Sequence, residues 1–571
     1  MAVRRTRGGG GQTRAESLSR CLDAFIIALN QATDGSRWYT STKQLQFTSL
    51  EFCAACRSAP TLRLLVQCGT PTRLWARAAA RETRSAKKLS VSRVPIVQAR
   101  LVTWKLPAYA FAQRGDALSR VEFLFFGDNV NDSLEGVVWP SRVRVLQFGR
   151  RFNQPIENLP WPPNLKRLSF GASFNQPIAS SSWPQSLEML MFRGDFYQPL
   201  RAVSWPMSLQ TLYFFGGVQQ PLGGVTWPPS LQLLMFFGAM SNESIAGVVW
   251  PASLKRLRFG RCFDQPITSL VWPDSLETLD LGWDFNQSII GVVWPASLRK
   301  LVLKGTFDKP IDSVVWPESL KEIELGFDFN QPISGVVWPP SLQQLTFDNN
   351  FEHLVGDISW PLSLQQLTLG SKYNKPVHGA SWPQALQTLT FGQDFNQPIA
   401  GVTWPPSLEN LSFGRDFNQP IAAVTWSPSL RKLRFAMCFN QPIADVTWPD
   451  SLQQLTFSGE MTSWLHDQKL TLGQQQHLGA ISNFNQPIDK VVWPPSLSKI
   501  TFGERFDQPL NGVAWPPSLR ELIFGRDFSL PATSFEWPAS LEHITIACRP
   551  NEPLPSWPGV RVTGVWRAYW G

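Results

Sequence analysis

The sequence predicts a repeat solenoid, on three observations. A tryptophan recurs every 22 residues over most of the chain. Each interval holds one short alternating apolar run bracketed by Pro and Gly. At 571 residues the chain is too long for one compact core, a limit that a stack escapes by growing in one dimension.

The period is nearly uniform. Trp139, Trp161, Trp183, Trp205 and Trp227 are followed by Trp250 and then by every 22nd residue to Trp448, so a single step, Trp227 to Trp250, is 23. The row resumes at Trp493, Trp515 and Trp537, with a shortened last turn at Trp557. The 45 residues from Trp448 to Trp493 read as a degenerate repeat around Trp464 plus a polar insertion, Gln474 to Ser482. A turn lacking its Trp begins near Ala117 and keeps Val121, Leu124, Phe126 and Gly127 in register.

Within a unit, counted from Trp as zero, apolar residues recur at positions 4, 7, 9, 13 and 17. The Leu-x-x-Leu-x-Phe segment reads as a short strand with Leu and Phe inward. Gly at position 10 is expected to stop that strand as a turn residue, and Pro at positions 1 and 16 forbids a long helix. One strand plus an extended return makes a coil. A lone coil cannot bury its apolar face, whereas stacked coils share a core and set identical residues into ladders. The Asn-Gln pairs (Asn396 and Gln397, Asn418 and Gln419) are expected to stack as well, their amides satisfying turn backbone. Their recurrence in nearly every coil favours structure over ligand binding.

Leu-x-x-Leu-x-Phe at this period resembles a leucine-rich repeat. The fuller unit, Ser-Leu-x-x-Leu-x-Phe-Gly-x-x-Phe-Asn-Gln-Pro-Ile, resembles the FNIP repeat, a relative of the leucine-rich repeats. The likeness runs from Ala117 to Trp557 and departs from the family in using Trp-Pro where Leu-Pro is common. It implies a leucine-rich-repeat-like solenoid, a β-rich, curved, right-handed coil of about 19 turns that binds other proteins. It implies no catalytic residue.

The charge is uneven. The net +9 divides into +13 over residues 1–116 and −4 over the rest. Residues 1–12, with Arg4, Arg5, Arg7 and a glycine run, read as a flexible basic arm. Residues 13–116 read as a small, mainly helical basic domain or cap, with helical periodicity over Ala15–Gln31 and Arg73, Arg77, Arg81 and Arg84 along a second helix. This segment could contact an acidic partner, nucleic acid or an anionic membrane, and charge alone does not choose. Its arginine content also fits a transit peptide, and Thr61–Ala79 faintly resembles part of an F-box, which would make the chain a ubiquitin-ligase adaptor. The solenoid itself is assigned to 117–557, with an irregular insertion at 458–483 and a C-terminal cap at 558–571.

Chemistry is sparse. Cys53-x-x-Cys56 lacks a second close Cys or His pair, so no metal is expected. Cys262, Cys438 and Cys548 fall in different coils, which argues against a disulfide framework and for a reducing compartment, the cytoplasm first, with nucleus or organelle as alternatives. No apolar run approaches the roughly 18 residues of a membrane span. The acids at outward strand positions, Asp280, Glu322 and Glu324, look scattered, and His466 and His477 lie in the insertion. No catalytic residue or cofactor is expected, and a solenoid enzyme stays a distant alternative.

A protein partner is therefore the leading expectation. Strand positions 6, 8 and 10 point outward onto the concave face. Most carry Gln, Thr, Ser, Gly or charges. Three successive coils depart, with Met189 and Met191, Tyr213 and Phe215, then Leu233, Met235 and Phe237, and the next coil offers Lys255, Arg256 and Arg258. Apolar side chains beside positive charge mark a candidate partner-binding patch. The alternatives are packing against the N-terminal domain, or an inward residue displaced by the extra Phe of each Phe-Phe-Gly.

Overall fold

The computed structural model describes residues 121–239, 242–458, 482–529, 536–548, 554 and 556–566. The chain divides into two units, 1–98 and 99–571, and every described residue belongs to the second. The basic arm, the N-terminal helices, Cys53-x-x-Cys56, the F-box-like stretch, His466 and His477 all lie outside the described residues.

Twenty strands follow one another: β1 (Phe123–Phe125), β2 (Val145–Gln147), β3 (Arg167–Phe170), β4 (Met189–Phe192), β5 (Thr211–Phe214), β6 (Leu233–Phe236), β7 (Arg256–Arg258), β8 (Thr278–Asp280), β9 (Lys300–Leu303) and β10 (Glu322–Leu325). They continue as β11 (Gln344–Phe347), β12 (Gln366–Thr368), β13 (Thr388–Thr390), β14 (Asn410–Ser412), β15 (Lys432–Arg434), β16 (Gln454–Thr456), β17 (Lys499–Thr501), β18 (Glu521–Phe524), β19 (His543–Cys548) and β20 (Arg561–Trp566). Each pairs in parallel with the next in sequence, one rung per coil, as in Leu367↔Leu389 and Leu389↔Leu411. This is the parallel solenoid that the period predicts.

The inward rows do the packing. Leu386, Leu389, Phe391, Phe395, Ile399, Val402 and Trp404, spanning two adjacent coils, are all buried. Their rings stack on those of the neighbouring coil: Phe391 on Phe413 at 5.4 Å, Phe395 on Phe417 at 6.1 Å, Trp382 on Trp404 at 6.5 Å. Ring spacing grows from the strand side to the Trp side, so the coils are wedges whose narrow edge carries the strand. The strand face is locally the inner one.

Asn and Gln form the expected ladder. The Asn418 backbone N–H donates to Asn396 Oδ1 at 2.9 Å, and Gln419 Nε2 donates to the Asn396 carbonyl at 3.0 Å. Asp264 and Asp308 take the same place and accept from the Asn286 and Asn330 amides. A second ladder comes from Ser at position 3, as where Ser407 Oγ donates to the Leu386 carbonyl at 2.9 Å.

Two expectations need correction. Position-10 glycines do open a turn, as where the Tyr373 N–H donates to the Gly370 carbonyl at 3.0 Å, but the turn is not the main reason that glycine is needed there. A Cβ on Gly414 would sit 1.7 Å from the Gly392 carbonyl oxygen, and one on Gly392 would sit 1.8 Å from that of Gly370. They are required by the close approach of successive coils. Most glycines with left-handed φ among the described residues lie three residues before Trp, as at Gly291 (φ 82°) and Gly401 (φ 77°), although Gly282 at position 10 is one too (φ 84°).

The second correction concerns the 45-residue interval. β16 pairs directly with β17, Gln454 opposite Lys499, so no rung around Trp464 stands between them. Asn485 likewise donates its backbone N–H to Asn440 Oδ1 at 2.9 Å. The two rungs are therefore neighbours although 45 residues separate them in sequence, the described chain running to Ser458 and again from Ser482.

Candidate interaction face

The outward side chains of β4 to β7 meet because the rungs are in register. Met189 stands beside Thr211, Met191 beside Tyr213, Tyr213 beside Met235, Leu233 beside Arg256 and Met235 beside Arg258. Phe214 and Phe236 point inward and are fully buried, so the extra Phe leaves the interior register unchanged. Phe215 and Phe237 are the outward members and stack on each other at 4.8 Å with planes 6° apart. Tyr213 leans on both, at 5.7 and 6.1 Å.

The patch is narrower than the sequence suggests. Met191 and Tyr213 are only 3% and 7% exposed, although they sit at outward positions. The Phe215 and Phe237 rings at position 10 lie against Tyr213, and Met191 stands between Ser169 and Tyr213 of the adjacent rungs. Met189, Phe215, Leu233, Met235 and Phe237 are half-buried, and Lys255 and Arg256 are exposed.

Arg258 ends the aromatic row. Its guanidinium carbon lies 4.7 Å from the Phe237 ring centroid, and its Nε is 3.3 Å from Asp280 Oδ2. The cation thus touches a π face on one side and a carboxylate on the other. Burial pushes the Asp280 carboxyl above the usual range, against the opposing pull of Arg258. Beyond it, Lys300 Nζ lies 2.6 Å from Glu324 and 2.9 Å from Glu322, and Lys304 lies 3.3 Å from Glu324. Burial favours a neutral Glu324, but Lys304 and Lys300 outweigh it and hold the carboxyl below its ordinary value. For Lys300, burial favours the neutral amine, and Glu324 and Glu322 outweigh it and raise the pKa. The acids that look scattered along the chain fall into two ion-paired groups on neighbouring coils, and opposite charges at positions 6 and 8 of adjacent units were the signal for them.

Arg193 also escaped sequence reasoning. It occupies position 10 of the β4 coil and donates from Nη2 to Gln147 Oε1, two coils away, at 3.1 Å. Burial lowers its pKa, with Asp128 opposing. Among the described residues no group of three His, Cys, Asp or Glu could hold a metal, and no helix is long and apolar enough to cross a membrane.

Comparison with known proteins decides the family. The FNIP Repeat family matches residues 152–195, 174–216, 242–284, 285–328, 373–416, 395–436 and 484–527. The crystal structure of CroV588, a circular leucine-rich-repeat protein, is 32% identical with a TM-score of 0.60, over 78% of this chain and 72% of that one. The chain is an FNIP-repeat protein. Among other solved structures, an internalin (inlF) from Listeria monocytogenes is 12% identical, with a TM-score of 0.35 over 55% of this FNIP-repeat chain and 94% of its own. The mouse RP105/MD-1 complex is 15% identical with a TM-score of 0.41, over 79% and 73%. No curated protein sequence matches the chain.

Proposed function

We propose that this FNIP-repeat protein is a non-catalytic interaction scaffold whose partner docks on the strand face across β4 to β7. The observation that supports this most is the Phe215–Phe237 stack, half-exposed and closed at one end by Arg258. Met189, Leu233 and Met235 extend its apolar surface, and Lys255 and Arg256 set cations at its edge. Aromatic, Met and Arg side chains are enriched at the centres of protein interfaces, where desolvated anchors dominate affinity. The chemistry fits a partner segment that offers an apolar or aromatic anchor followed by Asp or Glu.

The test uses the full chain with a photo-crosslinking residue at Leu233, and a control with the same residue at Thr390, an outward position of a distant coil. A peptide bearing one Trp and three flanking Glu should crosslink at 233 and not at 390. Phe215→Ser with Phe237→Ser should abolish the crosslink while leaving the melting temperature within a few degrees. Equal crosslinking at both positions, or crosslinking that survives the double substitution, would falsify the assignment.

A further inference from the structure

On the opposite, Trp-bearing side, Val249, Val271, Val293, Val315 and Val337 stand immediately before the repeat Trp in five successive coils. They are between 78% and 83% exposed. Preceding coils hold Ser182, Ser204 and Thr226 at the same place, and later ones Ser359, Ser381 and Thr403. The position is extended, which suits β-branched residues, but Thr has the shape of Val and meets that need while bonding water. Neither the backbone nor the core therefore asks for Val here. Isolated valines occur at the same place at Val138 and Val492, but only here do five adjacent coils present methyl groups, with hydroxyls in the three coils on either side, and a contiguous exposed apolar row marks a docking surface.

The border of the row is acidic. Asp274 and Glu318, two residues after Trp, and Asp312, four before it, are exposed, and in these coils neither of those two positions carries Lys or Arg, the exposed cations Lys255 and Arg299 lying further on, five after Trp. The Trp250 and Trp272 rings, which open the row, are 6.4 Å apart. Four such steps make a stripe of roughly 25 Å, the length of about 17 residues of α-helix. We infer that this row is a second docking surface, for an amphipathic helix whose narrow apolar seam is bordered by Lys and Arg. A second copy of this chain, placed stripe to stripe, would set acid against acid across a two-fold axis, which disfavours it.

The experiment selects a displayed library of 17-residue peptides on the full chain. Selected sequences should carry apolar residues at i, i+3 and i+4 with basic neighbours. Val271→Thr, Val293→Thr and Val315→Thr together should weaken those peptides by at least about tenfold, through loss of buried methyl groups, with no change in melting temperature. Asp312→Lys with Glu318→Lys should also weaken them without touching the valines. Selected peptides that bind the triple Thr variant equally well, or a selection that yields none, would overturn the inference. A lowered melting temperature in the triple variant would do the same, by making the valines structural. So would concentration-dependent dimerisation of the wild-type chain that the Thr variant loses, since the occupant would then be a second copy.

Discussion

The coils of β4 to β6 and those of β12 to β14 have the same interior and different faces. Leu190 and Phe192 are buried as Leu389 and Phe391 are. Outward, Met191, Tyr213 and Met235 stand where Thr368, Thr390 and Ser412 do. At position 10 the first region has Arg193, Phe215 and Phe237, and the second has Gly370, Gly392 and Gly414. Close approach still needs glycine, so in the first region it moves one residue on. A Cβ on Gly216 would meet the Gly194 carbonyl carbon at 2.1 Å, and one on Gly238 that of Gly216 at 2.2 Å. The ladder lengthens accordingly, Phe215 N–H donating to the Phe192 carbonyl at 2.8 Å. A one-residue shift of glycine thus adds a large outward side chain to each coil without disturbing the inward rows. The stack constrains its interior and leaves its outer rows open to function.

The largest effect should come from breaking the period itself. Deleting residues 405–426 removes one whole unit and lets Asn440 stack on Asn396, so cooperative melting by circular dichroism should persist. Deleting 405–415 sets strand against return segment and should abolish the cooperative transition. Equal damage from both would refute the stacked-coil account of these rows.

Next, inward and outward rings should separate cleanly. Phe395→Ala should cost about 3–5 kcal/mol in urea unfolding, the range for a fully buried aromatic. Phe237→Ala, on the outward row, should cost about 1 kcal/mol or less. Comparable losses would mean that the outward stack is core.

The amide ladder comes third. Asn418→Ala leaves the Asn440 backbone N–H without its acceptor, while Gln441 Nε2 keeps the Asn418 carbonyl, a loss of about 1–3 kcal/mol, with faster hydrogen exchange at the Asn440 amide. Asn418→Asp should keep most of the stability, because Asp264 and Asp308 already serve in that row.

The smallest effect is a gain. Tyr373 stands in a row of Phe, stacked between Phe351 and Phe395, with its hydroxyl buried and no hydrogen-bond partner among the described residues. Burial raises its pKa well above the ordinary phenol range. Tyr373→Phe should therefore stabilise the protein by roughly 1 kcal/mol, read as a higher melting temperature. A lower one would show that the hydroxyl has a partner.

What repeats was legible in the sequence. Leu389, Phe391, Phe395 and Trp404 could be placed inside, and Asn418 in a ladder, because each argument needed only a strand period and a unit length. What depends on contacts between coils was not. Gly414 gives the same sequence signal whether it turns the chain or lets the backbone of Gly392 come close. Met191 and Tyr213 alternate outward as expected, yet neighbours three-dimensionally adjacent and 22 residues away cover them. Trp464 matched the repeat letter, but β16 pairs directly with β17 and leaves no place between them for a further rung.

That long interval between β16 and β17 has a consequence in polymer terms. Joining β16 to β17 through 45 residues instead of 22 roughly doubles the loop that must close. Because closure entropy grows only with the logarithm of contour length, the added penalty is about 0.6 kcal/mol, comparable to a single hydrogen bond of the ladder. The junction after Phe457 is therefore a place where the chain can accept foreign sequence at almost no thermodynamic cost, and neighbouring rungs still find one another across it.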